Sequence, residues 1–427
     1  MGQINKLPSI FKLSFIYSGF GIISTALPVV LLPWLTNIMA PEEYLYVDLF
    51  NVLFQITIAF LGLGVYTSVS RHYHDRKKLN FSLFLSTVIT FSLITMGIIT
   101  LLIPLIKVIA EEFIDINFDH SFLLMLFLFT LMFQISEIYF QILIMESNAV
   151  LFGSLKFFKA FVEVFFTFVL IVYFEMTWLG RILGQVFGVF ILLITASIGL
   201  LKKFELKLRI SKEYLKSSIE YSLPISMHLV AVFFISYIDR FFILSMVGEE
   251  EAGLYAVAYQ VGLSITLIGS SFNKAWVPYA FKELDSETYQ SKCKIVKITY
   301  FYCFFLLILV FMLYSFGDLI FVYLLDEGYY LAKNYVVWIA LGCAFNGMYN
   351  MMATICYYVK KTKELAIATI LIGVINLGLN YYFISRFGTI GAAYSTSLTF
   401  FTQFLVIWVL SNKIYPMPWF YFYKVIK

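Results

Sequence analysis

Charge is scarce in this chain. Only 13% of its 427 residues are Asp, Glu, Lys or Arg, and 61% are hydrophobic, whereas soluble domains carry roughly 25% charged residues. A water-soluble fold could not hide that much apolar surface. Cysteine is also sparse: Cys293, Cys303, Cys343 and Cys356, with no CxxC pair. Cys343 and Cys356 would stand about 20 Å apart on one helix, too far to bridge, so the thiols are read as free. Of the 4 histidines, His72 and His74 are two apart, the wrong spacing for a metal pair on one helix face. No Walker A loop, nucleophile elbow, HExxH or zinc-ligand spacing occurs. The expectation is therefore no cofactor, no metal and no bond-breaking chemistry, with energy supplied by a gradient or a separate partner. A net charge of +4, scattered and without a polybasic tail, argues against nucleic acid as a partner.

What the chain has in abundance is long apolar runs. Six run over 13–39, 44–69, 81–106, 121–145, 157–174 and 178–201, and six more over 219–247, 253–272, 296–316, 336–358, 365–383 and 390–410. A bilayer core about 30 Å thick takes roughly 20 residues of helix, and only helices or closed barrels satisfy their backbone in hydrocarbon. Barrel strands would show segments of about ten alternating residues, which this sequence lacks. The expected fold is all-α and integral to the membrane, with twelve transmembrane helices. The first run is too long for a signal-peptide core, so it is read as retained. Lys6 stands where a myristoylation signal needs Ser or Thr.

Most of the 30 basic residues fall in every second gap: Lys6 and Lys12, Arg71–Lys78, Lys202–Lys216, Lys274–Lys297, Lys360–Lys363 and the C-terminal tail. Lys107, Arg181, Lys333 and Arg386 are assigned to the opposite face, and Arg240 lies inside the seventh run. By the positive-inside rule both termini face the cytoplasm. Weak self-similarity supports a duplication: Leu45-Tyr46 corresponds to Leu254-Tyr255, and Gly180 and Gly184 to Gly391 and Ser395. This predicts two six-helix lobes of like orientation, residues 1–203 and 217–427, joined by a basic cytoplasmic linker at 204–216. Parallel repeats of this kind place a site between the halves and alternate its access. Gly180, Gly184 and Gly188 form overlapping GxxxG steps that suit close packing within the lobe or a homodimer contact. Pro28, Pro33 and Pro224 bend equivalent first and seventh spans.

Polar residues inside the spans carry whatever chemistry exists, because a charge at the bilayer centre costs about 2.5–3.5 kcal/mol on insertion scales. Asp48, Asn51 and Gln55 share one helix face, Gln134, Glu137 and Gln141 another, and Lys156, Lys159 and Glu163 a third. These stripes are read as lining an aqueous cavity, against the alternative of interhelical hydrogen bonds. Lys159 and Glu163, at i,i+4, suit an internal ion pair as well as a ligand site. Lys156 and Lys159 could also mark the cytoplasmic end of a helix beginning near Ala149. Asn346 with Asn350 and Asn376 with Asn380 favour interhelical bonding. Asp239-Arg240 lies about two turns inside the seventh run, and adjacent helical residues are expected not to neutralise each other fully. Arg240 suits bidentate phosphate binding or an interhelix bridge. His228 is read as a satisfied core histidine.

Tyr221-Ser222-Leu223-Pro224, Asp239-Arg240 and the run from Gly248 through Gly253-Leu254-Tyr255 to Tyr259 resemble the polysaccharide-biosynthesis flippases. Ala275 through Pro278, and Leu61-Gly62-Leu63-Gly64 with Arg71, resemble further parts of that pattern. The resemblance implies a multidrug-extrusion-like fold around a cationic cavity. It implies translocation of undecaprenyl-pyrophosphate-linked oligosaccharide, an O-antigen or capsule unit, across the bacterial cytoplasmic membrane by alternating access. The partners would be the lipid-linked substrate, the lipid bilayer, and a polysaccharide polymerase and glycosyltransferases of the same pathway. The matching "DR" carries over Arg240, with Asp239 orienting it. The first and second spans contain no interior arginine, which leaves Lys156 and Lys159 as the first lobe's contribution. A cation-coupled multidrug antiporter shares the fold, and Asp48, Glu137 and Glu163 suit it. A sugar transporter of the major-facilitator type would carry glycines around Asp75-Arg76, which are absent. A membrane polymerase or ligase would need a larger outer loop than 107–120 or 317–335.

Overall fold

Transmembrane segments fold by keeping every backbone hydrogen bond internal, which favours helices. The computed structural model describes residues 30–114, 119–359 and 361–420, and among them no strand occurs. Eleven of the described helices are long and apolar enough to cross a bilayer. Each expected run from the second to the twelfth coincides with one of them. Most of the first run, with Lys6, Lys12 and Pro28, lies outside the described residues, as do Lys360 and the end of the basic tail.

The residues group into two compact units, Tyr46–Phe233 and a second comprising 30–45 with 234–420. The division departs from the lobe boundaries expected from the sequence. Residues 217–233 pack with the first unit, and 30–45 with the second. Close contacts with Gly253 and Tyr329 accompany the second exchange. A Cβ on Gly253 would overlap the Pro41 carbonyl, Tyr329 donates to the Met39 carbonyl at 2.8 Å, and Tyr44 meets the Tyr329 ring edge-on.

The first unit takes in most of α1 (Pro41–Phe60), a tight turn of 3-10 type over Leu61–Thr67 and α2 (Ser68–His74). α3 (Phe81–Leu101) and α4 (Ile103–Ile114) follow, divided at Leu102. Next come α5 (His120–Met145), α6 (Ala149–Phe174) and α7 (Thr177–Lys203). Asn80 and Asn148 start α3 and α6 by accepting from the amides of Leu83 and Leu151. The core joins Val65 and Val69, Phe84 and Val88, Ile138 and Ile142, and Leu192 and Ala196. Lipid tails are as apolar as these side chains, so close packing and polar links hold the helices together.

α8 (Lys212–Ser236) crosses from the first unit into the second and contains Pro224. The second unit continues with α9 (Asp239–Met246), α10 (Glu249–Asp285) and α11 (Tyr289–Tyr323). A short 3-10 turn at Glu327–Ala332 leads into α12 (Lys333–Tyr358), α13 (Thr362–Phe387) and α14 (Thr389–Ile414). At 37 and 35 residues, α10 and α11 exceed the roughly 20 residues a bilayer core needs. Their basic ends extend past the expected runs, and Lys294 pairs with Glu283 at 3.7 Å. α12 packs along α14, where a Cβ on Gly342 would meet Thr396 and Phe400.

Candidate functional site

The glycine stripe of α7 builds the first polar centre. Gly184 and Gly188 lie so close to α6 that a Cβ on Gly184 would overlap Thr167 and crowd the Glu163 carbonyl. At Gly188 it would stand 3.1 Å from the Lys159 carbonyl and 3.5 Å from Lys159 Cε. The stripe therefore serves packing inside the unit. The close approach brings Arg181 of α7 onto Glu163 of α6: Nη1 donates to Glu163 Oε1 at 2.8 Å and lies 3.4 Å from Thr167 Oγ1. Lys159, one turn before Glu163, donates to its other oxygen. The result is a triad of two cations on one carboxylate, with an excess of one positive charge. Arg181 and Glu163 side chains are only 2% and 4% exposed, whereas Lys159 is 26% exposed.

Arg181, assigned to the opposite face, lies near the start of α7, where the flanking Gly180 and Gly184 seat it, buried, against α6. An arginine inside a GxxxG step was the available signal, and its partner across the helix pair was not. Lys156 does not join the triad. Helix α6 does begin at Ala149, and Lys156 turns to α5, where it bonds Glu137 at 2.9 Å and lies over the Phe140 ring.

The other first-unit stripes divide. Asn51 donates to the Val47 carbonyl of its own helix at 2.8 Å. Asp48 is half-buried and Gln55 is exposed. Gln134 is buried on the turn that interrupts the second span, donating to the carbonyls of Ile58 at 3.2 Å and Leu61 at 2.7 Å. There Gly62, Leu63 and Gly64 all adopt left-handed backbone, with φ of 64°, 47° and 64°.

A second polar centre lies wholly in the second unit. α8 stops at Ser236 and α9 restarts at Asp239, so Asp239 occupies a helix N-terminus rather than mid-helix. Its Oδ1 accepts from the Arg240 amide at 3.1 Å and from Arg240 Nη1 at 2.6 Å. The adjacent pair therefore does bond, contrary to the sequence expectation, because the break frees the amide and lets the guanidinium fold back. Arg240 also donates to the Ser236 carbonyl at 2.9 Å and lies 3.8 Å over the Tyr259 ring. Asp239 Oδ2 accepts from Tyr255 at 2.6 Å and Thr396 at 3.2 Å. Both members are buried, at 2% and 1% exposure. Tyr255, Tyr259 and Thr396 went unassigned in the sequence reading, although the tyrosines fall in the quoted motif.

Asn380 donates to Asn376, which donates to Thr399 on α14, an interhelical chain. Asn346 and Asn350 are half-buried. His228 is exposed rather than a satisfied core histidine. His72 bonds the Ser68 carbonyl at 3.0 Å and Ser217 at 2.9 Å and stacks on Phe84. Among the described residues no cluster of three metal-ligating side chains occurs.

A family profile described as polysaccharide biosynthesis protein matches residues 10–283, well over half the chain. The chain belongs to that family. A second profile, MatE, matches 224–382 of this family member. Two Haemophilus influenzae proteins (strain ATCC 51907 / DSM 11121 / KW20 / Rd) are similar over about a third of their lengths. An uncharacterized membrane protein is 29% identical over 152 residues, 34% of this chain and 36% of that protein. Lsg locus putative protein 1 is 24% identical over 154 residues, 35% of this chain and 37% of that one. Among solved structures, an inward-facing multidrug resistance MATE family transporter of the MOP superfamily superposes with a TM-score of 0.73 at 14% identity, covering 94% of each chain. A Vibrio cholerae MATE transporter gives 0.61 at 13% identity over 95% of each. At such identities the likeness shows the fold: an all-α, multi-pass membrane protein with the multidrug-extrusion architecture.

Proposed function

We propose that this chain is a flippase that moves undecaprenyl-pyrophosphate-linked oligosaccharide, an O-antigen or capsular precursor, across the bacterial cytoplasmic membrane by alternating access. Family membership supports the polysaccharide pathway. The observation that carries the chemistry is the Lys159–Glu163–Arg181 triad, which holds two cations against one carboxylate inside the membrane-spanning helices. An uncompensated charge there is costly, and a pyrophosphate supplies the missing anion. Lys159, the exposed member, makes that contact, while Glu163 and Arg181 hold it in place. Asp239 and Arg240 tie α9 to α10 and α14, and are expected to meet substrate only when that knot opens. Asp48, Asn51 and Gln55 supply polar contacts for sugar hydroxyls, and Glu137 holds Lys156 by a salt bridge. No bond is broken in this cycle. A polymerase and glycosyltransferases stand on either side of it, and both termini face the cytoplasm.

In the native strain, Lys159→Ala is expected to cut surface glycan at least tenfold with unchanged membrane protein, while Lys159→Arg retains most display. Full display by the alanine variant would remove Lys159 from the site. The MatE match over 224–382 supports a second reading, a cation-coupled drug antiporter. Unchanged glycan together with raised drug sensitivity in a deletion strain would favour it.

A further inference from the structure

The basic linker at 204–216 is tied to α3 without closing against it. The Lys207 amide donates to Ser86 Oγ at 3.1 Å and the Ser211 amide to Thr87 Oγ1 at 3.0 Å, and Phe204 stands edge-on to Phe81. Between linker and helix remains a cleft of about 120 Å³, lined by Ser86, Ile89, Thr90, Leu206, Lys207 and Leu208. Its lining combines three chemistries. Ile89, Leu206 and Leu208 make an apolar wall, although Leu208 is 78% exposed. Thr90 Oγ1 is buried with no hydrogen-bond partner, which costs stability until a ligand atom completes it. Lys207 brings an ammonium that is 64% exposed, and its contact with Glu205, at 3.9 Å, is loose. An apolar strip leads away from the cleft. At 3.6 residues per turn, Ser86, Thr90, Leu93 and Gly97 fall on one face of α3. A Cβ on Gly97 would meet nothing within 4 Å, and Leu93, Ile94 and Leu101 around it are exposed.

We propose that this cleft binds one anionic glycerophospholipid of the surrounding leaflet. Its phosphate sits on Lys207, its glycerol ester accepts from the Thr90 hydroxyl, and one acyl chain runs along α3 past Leu93 and Gly97. The cleft lies at the end of a membrane-spanning helix, where headgroups are found, and basic pockets in that position take anionic headgroups. A free anion has no use for the wall of Ile89, Leu206 and Leu208, and a zwitterionic lipid leaves the Lys207 charge half answered. The exposed Leu208 is then accounted for, since a leucine beside lysines at the interface gains by meeting a chain rather than water. Bound there, the lipid fills the gap that the two amide ties leave and holds the linker to α3. The site stands whether the cargo is a lipid-linked sugar or a drug.

The test uses the purified, delipidated full chain in detergent, titrated with dioleoylphosphatidylglycerol, dioleoylphosphatidylcholine or inorganic phosphate. Native mass spectrometry reads the lipid retained, and thermal unfolding reads its effect. Phosphatidylglycerol is expected to stay bound, one per chain, and to raise the melting temperature. Lys207→Gln should cut that retention about fivefold, the scale of one basic residue at an anionic leaflet, and Lys207→Arg should keep it. Thr90→Val should cut it about threefold, the scale of one neutral hydrogen bond. Lys294→Gln, which alters an exposed cation of the second unit, should retain lipid as the parent does. Equal retention of the two phospholipids, the same melting shift with phosphate alone, or unchanged retention in Lys207→Gln would overturn the proposal. So would stronger retention of undecaprenyl phosphate, which would assign the cleft to the cargo. The Lys207 variants alter an exposed side chain, and they decide the matter if Thr90→Val fails to fold.

Discussion

Glu163 is the most heavily committed side chain of the first unit, since it answers both Lys159 and Arg181. Removing one partner of a buried pair costs about 3–5 kcal/mol in soluble proteins, because the other charge is stranded. Glu163→Gln is therefore expected to lower thermal stability sharply, as read by fluorescence-detected size exclusion after heating. Combining it with Arg181→Met should recover part of the loss, since only Lys159 then remains and its head can reach water. Additive losses in that cycle would mean that the two groups are not coupled. The i,i+4 spacing of Lys159 and Glu163 was readable from the sequence. Arg181 was not, because a cross-helix partner is chosen by the packing of α6 on α7, which spacing along one chain does not encode. Asp239-Arg240 was misread for a related reason: no glycine or proline at Tyr237-Ile238 announces that the helix restarts there.

At the scale of elements, two glycine devices decide where helices lie. Gly184 permits the α6–α7 contact, so Gly184→Val is expected to push the helices apart at about 1–3 kcal/mol and to break the Arg181–Glu163 bond. Cross-linking between cysteines placed at Thr167 and Gly184 neighbours would show the separation as lost disulfide yield. Gly64 serves the turn instead. With φ of 64° and Ser226 against it, Gly64→Ala combines left-handed strain of about 1–2 kcal/mol with overlap. It is expected to lower the melting temperature more than alanine at Gly97, where a Cβ meets nothing within 4 Å. The GxxxG steps were legible as close packing, and the second to twelfth spans were legible from hydropathy, although their ends were not, as where α10 runs on to Asp285 and α8 stops at Ser236. The turn at Leu61–Thr67 was hidden, because Leu-Gly-Leu-Gly reads as apolar helix until Gln134 is known to bond the carbonyls at its start.

For the molecule as a whole, the charge pattern makes an orientation testable. An alkaline phosphatase fused after Ser286 is expected to be inactive, being cytoplasmic, and one fused after Asp326 active; the reverse pattern would invert the topology. The basic linker at 204–216 is held by hydrogen bonds. The amides of Lys207 and Ser211 donate to Ser86 and Thr87 on α3, so it is strapped to the first unit.

The interrupted second span also bears on how the chain is made. Backbone carbonyls in hydrocarbon need partners, and those of Ile58 and Leu61 receive theirs from Gln134, more than 70 residues downstream at separations of 76 and 73. The ribosome delivers the second span long before the fourth. Until α5 arrives, that segment has every reason to stay a straight rod, and its left-handed kink is a late event in biogenesis, set by the synthesis of one glutamine.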